Sequence, residues 1–317
     1  MEKLTNYKGS LFLLGLYITL PIAIANTLAL AFSDVAILWS LTPWAQAVGT
    51  AIMLSLLPGY LVAAYVHLHR ATLQTVAELA PLAEAESDIE SQLAKVHSAV
   101  WLLVPLLIIY SSWQNRGVFE GLYAGLASGP IDYISVLSSW FLWTVIAYFL
   151  AWRIPVTFRL RRFAAQLKVD LFDLNALRPL TNLAAMDVLV IAGGMAFMPL
   201  QSLDAELRWI NYEGGVYIGV PSAILLLVIP LMGARVAIMS AKEKRLAVVQ
   251  TQIESTSRDD VVQFETLLAH KQRIEDLPNW PFDANLTFRL LGYAVIAPLA
   301  WVGAALVENI VDQIAGG

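Results

Sequence analysis

Long apolar runs alternate with short polar stretches along this chain. A helix needs about 20 mostly apolar residues to cross a bilayer. Runs of that kind predict spans over 11–32, 45–66, 98–113, 131–152, 183–200, 215–239 and 286–307. The run at 98–113 is short. The run at 183–200 is the weakest, with Asp187 near its start, where a carboxylate suits the first turn of a helix, and Gly193-Gly194 inside it.

The segments between the runs carry their own patterns. Residues 33–44, with Trp39, Pro43 and Trp44, suit a turn at a membrane interface. Residues 71–97 read as a polar helical segment, and 114–130, with Gly117, Gly121, Gly125 and Gly129, as a loop. After 131–152 comes a basic stretch with Arg153, Arg159, Arg161, Arg162 and Lys168, bent at Pro155, and then an amphipathic connector at headgroup level. Residues 201–214 read as a short polar loop. Residues 240–253 continue the sixth span as a helix, and the chain breaks at Ser255-Thr-Ser-Arg-Asp-Asp, where Ser257 suits an N-cap. Val261, Phe264, Leu268 and Ile274 follow at helical spacing, which predicts an antiparallel hairpin with an apolar stripe in need of a partner. Trp280 and Phe282 suit the interfacial re-entry into the last span.

The fold class expected is therefore all-α: a polytopic membrane protein of seven helices with cytoplasmic extensions. Its parts are 1–239, holding spans one to six with helical segments 70–97 and 153–182; 240–285, the hairpin; and 286–317, the seventh span with a short external tail. Composition agrees. The chain of 317 residues is 58% hydrophobic and 14% charged, where soluble domains carry about 25% charged residues. Eighteen of its 20 Lys and Arg residues fall on one side if the N-terminus is cytoplasmic; only Arg116 and Arg208 fall on the other. The positive-inside rule then predicts an N-in, C-out protein of a bacterial inner membrane, its first apolar run being a retained span rather than a cleaved leader. The net charge of −5 argues against nucleic acid as a partner.

Little chemistry is legible. There is no cysteine, and the four histidines include His67 and His69 two apart, a spacing that does not share a helix face. No phosphate loop, nucleophile elbow or paired-histidine motif is present, so the expectation is no enzyme, no cofactor and no metal. Prolines are the stronger signal: Pro21, Pro58, Pro105, Pro230 and Pro298 each fall near the middle of a span, and freed carbonyls are tolerated where protein or water satisfies them. Tyr110, Trp113, Trp140 and Tyr217 form a candidate apolar ligand pocket if their spans converge. On the seventh span, Ala294, Ala297, Pro298, Trp301, Ala305 and Glu308 lie near one face, a candidate pore lining with a carboxylate at its outer mouth.

Residues 153–167, 240–253, and 261–277 followed by 286–307 resemble, in order, the helical extensions and the broken last helix of the seven-transmembrane ion channel superfamily of insect odorant and gustatory receptors. The resemblance is one of topology; the last span reads Phe288-Arg-Leu-Leu-Gly-Tyr-Ala-Val-Ile-Ala-Pro, without that family's Thr-Tyr and Gln-Phe signature. It implies a tetramer held by cytoplasmic helices and a pore lined by the last span. The reading is an oligomeric cation channel, gated by a small apolar ligand. The alternatives are a membrane-anchored scaffold whose hairpin binds a soluble cytoplasmic partner, and a transporter of a neutral solute.

Overall fold

The structure is a computed structural model that describes residues 9–33, 44–83, 97–125, 129–202, 210–256 and 261–281, together with Phe288, Leu290, Gly292 and Tyr293. The described residues are all helical in architecture, with one isolated bridge between Ala83 and Leu167. The helices are α1 (Leu11–Ala31), α2 (Trp44–Leu79), α3 (Val100–Gln114), α4 (Arg116–Tyr123), α5 (Pro130–Ala164), α6 (Arg178–Met195), α7 (Ile210–Gly214), α8 (Val220–Ser255) and α9 (Val261–Glu275). A π-turn, Gly215–Gly219, joins α7 to α8 without a break.

Five segments are long and apolar enough to cross a membrane: Leu11–Ala31, Gln46–Leu82, Pro130–Ala164, Leu174–Gln201 and Tyr212–Ser255; α3 is a shorter apolar helix. The seventh run, 286–307, lies outside the described residues apart from the four positions just named. On α1, Phe12, Tyr17, Leu20, Ile24 and Leu28 are exposed, and on α3 Trp101, Leu102, Leu106 and Ile109 are. Contiguous apolar surface on that scale is at home in lipid rather than water.

Helix limits differ from the hydropathy limits in four places. α2 runs on to Leu79, because its polar residues His69, Thr72 and Thr75 are buried among other helices instead of ending a span. The run 131–152 and the basic stretch after it are one helix, α5, which continues through Pro155. Proline has no N–H, so the Ala151 carbonyl loses its intrahelical partner; the His97 N–H takes it at 3.2 Å, pinning the start of α3 to α5. The predicted loop 114–130 contains α4. Finally, α6 starts at Arg178 with Pro179 in its first turn, so Asp187 stands in mid-helix and not near a helix start.

Close helix crossings fix the bundle. A Cβ on Gly59 of α2 would come within 2.5 Å of the Gly15 carbonyl of α1, so only glycine lets the two backbones meet there. Gly233 of α8 packs as tightly on the Arg161 carbonyl of α5. Ser33 ties a third pair: its Oγ accepts from Ile131 N–H at 3.0 Å, filling an otherwise open donor at the start of α5. The Lys168 N–H donates to the Leu82 carbonyl at 2.7 Å. The ends of α2 and α5 therefore lie together, and α6 starts from that same end. Arg159, Arg162, Lys168 and Arg178 lie toward that end, while Arg116, after the far end of α3, lies toward the other.

The main core lies in the basic half, among α2, α5, α6 and α8, with Trp152, Leu160, Leu180, Leu231 and Ile238 at its centre. α9 folds back antiparallel on α8 and sends Ile274 into this core, fully buried. Lys242 of α8 closes the hairpin. Its Nζ donates to the carbonyls of Glu275 (3.1 Å) and Leu277 (2.7 Å) and to Asn279 Oδ1 (2.8 Å), satisfying carbonyls that a helix end leaves open.

Candidate binding cavity and buried ion pair

The opposite half of the bundle is hollow. A cavity of about 340 Å³ lies between α2, α3, α5, α6 and the π-turn leading into α8. Its walls are mostly apolar, from Met53, Leu54, Leu57, Leu142, Trp143 and Met195. Polar groups cluster toward the helix ends, where Gln46, Gln114, Asn115, Asp132 and Gln201 line it. At the other extreme it closes on Leu61, Leu150 and Val190. Gln46 to Leu61 is fifteen residues of one helix, or about 22 Å along the axis.

Glycines shape one wall. Gly214, Gly215 and Gly219 line the cavity at the π-turn, and such turns recur at functional sites because they break the regular helical ladder. Gly194 of α6 lines it too, and a Cβ there would meet Leu57 and Tyr60 only at ordinary contact distance, leaving room inward.

Asn26 of α1 also lines the cavity. It is 1% exposed, and its Nδ2 reaches the Ile22 carbonyl (3.0 Å), Ser55 Oγ (3.3 Å) and Ser138 Oγ (3.3 Å), tying α1, α2 and α5. Its Oδ1 is buried with no donor. Ser55 cannot supply one, since its hydroxyl already donates to the Ala51 carbonyl at 2.6 Å. A buried acceptor without a donor is costly, so this corner of the wall is held by packing rather than by polar pairing alone.

One turn beyond the closed end lies the main polar surprise. Arg153 donates from Nε to Asp187 Oδ1 at 2.7 Å and from Nη2 to Oδ2 at 2.6 Å. Its Nη1 donates to Thr72 Oγ1 at 2.8 Å. All three side chains are buried. The register is simple: Tyr65 follows Leu61 by four residues, Arg153 follows Leu150 by three, and Asp187 precedes Val190 by three, so each helix carries its polar or aromatic group one turn below the cavity. Tyr65, His69 and Trp152 pack beside the pair, with Tyr65 edge-on to Trp152 at 4.5 Å. Among the described residues, Tyr65 Oη and His69 Nδ1 have no hydrogen-bond partner.

This arrangement corrects two expectations. Asp187 is neither solvated nor in a first turn, and Arg153 is not an interfacial cation; each neutralises the other in the interior. The four aromatic pocket candidates surround the cavity without being its aromatic lining, which among the described residues is Trp143 and Phe149. Tyr110 sits edge-on to Trp143 at 5.0 Å and donates to Glu213 at 3.3 Å. Trp140 Nε1 donates to Ser112 Oγ at 3.1 Å, joining α5 to α3. Trp113 lies under the Arg116 guanidinium at 4.8 Å, and Tyr217 is exposed. The hairpin stripe divides: Ile274 is internal, Phe264 half-buried, and Val261 and Leu268 exposed. Ala294, Ala297, Pro298, Trp301, Ala305 and Glu308 lie outside the described residues.

Missed from sequence were Asn26 and the pair Arg153–Asp187. An asparagine with serines on two other spans is a usable signal only once the helices are known to meet. No family model, no curated protein and no solved structure matches this chain.

Proposed function

We propose that the chain is a multi-pass membrane protein that binds and passes a small, uncharged, largely apolar molecule. The observation that carries this reading is the cavity: apolar walls, uncharged polar groups from Gln46, Gln114, Asn115 and Gln201 toward the helix ends, and, among the described residues, Asp132 as its one ionisable side chain. A bare cation gains nothing from such walls, because an unsolvated charge among apolar groups is costly. Lodging the molecule requires no ionic partner, and passing it on requires parting the layer held by Arg153, Asp187 and Thr72. The basic end faces the cytoplasm in this reading, following the Lys and Arg distribution.

The test is photolabelling in proteoliposomes with a neutral diazirine-bearing octanol. Adducts are expected on peptides carrying Met53, Met195 and Met198, and Gly194→Leu, which fills the cavity, should abolish them. Labelling confined to α1 and other lipid-facing helices, or unchanged in Gly194→Leu, would refute it. The cation pathway along 286–307 has its own test in bilayer recording of Glu308→Gln, whose loss of cation conductance would favour the channel reading instead.

A further inference from the structure

We propose a second site, at the basic end, that binds the headgroup of an anionic phospholipid; it rests on the membrane reading but not on the cavity. A pocket of about 480 Å³ lies between the start of α3 and α5, lined by His97, Leu103, Ile154, Phe158, Arg159 and Arg162. Arg159 and Arg162 are three apart on α5 and so share a face. Arg162 is exposed, and its guanidinium offers forked donors that suit phosphate oxygens, while the half-buried Arg159 adds a second positive charge beside it.

His97 is placed by the proline described above: its N–H takes the Ala151 carbonyl that Pro155 leaves open. Its Nδ1 accepts from the Ala99 N–H at 3.0 Å. The neutral imidazole therefore carries its proton on Nε2, a third donor in the same pocket.

The remaining wall identifies the ligand as a lipid. Leu103, Ile154 and the exposed Phe158 form an apolar slot below the cations, continuous with the exposed apolar face of α3 at Leu102, Leu106 and Ile109. A phosphodiester would meet the guanidiniums while an acyl chain follows the slot. Basic pockets between membrane helices at the cytoplasmic side are where anionic headgroups dock.

The full chain, purified in neutral detergent, should retain phosphatidylglycerol over phosphatidylcholine in native mass spectrometry. Arg159→Gln with Arg162→Gln should lower that preference about thirtyfold, at roughly a kilocalorie per cation. Arg162→Gln alone, at an exposed position, should give about fivefold with an unchanged melting temperature. Equal retention of the two lipids, or a preference the variants leave intact, overturns the proposal. So does displacement by millimolar inorganic phosphate, which would mark a bare anion site. Release of the protein from membranes by alkaline carbonate would instead refute the membrane reading itself.

Discussion

Arg153 and Asp187, 34 positions apart, close a two-pronged ion pair between α5 and α6 with both side chains at 1% exposure or less. Removing one partner strands the other charge in the interior. Asp187→Ala should therefore cost about 3–5 kcal/mol, whereas Arg153→Met with Asp187→Leu, which removes both charges, should recover most of it. Denaturant unfolding in mixed micelles measures both. A double variant no more stable than the single one would show that the pair is needed for correct helix register rather than as mutual neutralisation.

The α1–α2 crossing gives a steric prediction. Gly59→Leu has no room against Gly15 and should destabilise by about 1–3 kcal/mol. Gly117→Ala and Gly121→Ala, where no atom of the described residues lies within 4 Å of the added Cβ, should not. Thermal unfolding of the three variants side by side is the check.

Lys242 makes a separable prediction. Lys242→Met removes the three interactions that hold the end of α9, so amide exchange in 261–277 should accelerate while 178–195 stays protected. Uniform acceleration in both segments would mean that the lysine supports the whole bundle instead of the hairpin alone.

Two positions of the hairpin stripe should behave oppositely. Ile274→Ala empties a core site and should cost about 2–5 kcal/mol. Leu268→Ala, exposed in the single chain, should leave unfolding unchanged and reduce particle size by light scattering if the stripe joins copies of the chain. Unaltered size in Leu268→Glu would remove self-association through this face.

Orientation is checked by reporter fusions. Those after Ala83, Lys168 and Thr256 should read cytoplasmic and one after Tyr123 external. A cytoplasmic signal after Tyr123 would invert the assignment of the basic end.

Five of the apolar runs were legible as helices long enough to cross a membrane, because lipid demands a long apolar run and length alone marks one. The interior was not. Met53, Leu142 and Ile109 look alike in sequence, yet two line a cavity and one faces outward, because membrane helices are apolar on both faces. The ion pair was hidden by helix ends. Hydropathy stopped at Trp152 and restarted at Leu183, whereas the helices run to Ala164 and start at Arg178. That shift moves Arg153 and Asp187 from two interfaces to one interior. The hairpin was legible because water, unlike lipid, enforces a one-sided pattern.

α8 is a single helix of 36 residues, about 54 Å long. One end grows from the glycine turn in the cavity wall; further along, Lys242 clamps α9 to it. The two regions are thus opposite arms of one lever, with Gly233 on Arg161 as its fulcrum. If the proposed guest turns the glycine segment, a rigid α8 would carry that rotation to the face of Val261 and Leu268. By reciprocity, a partner on that face would then bias the cavity by the same free energy.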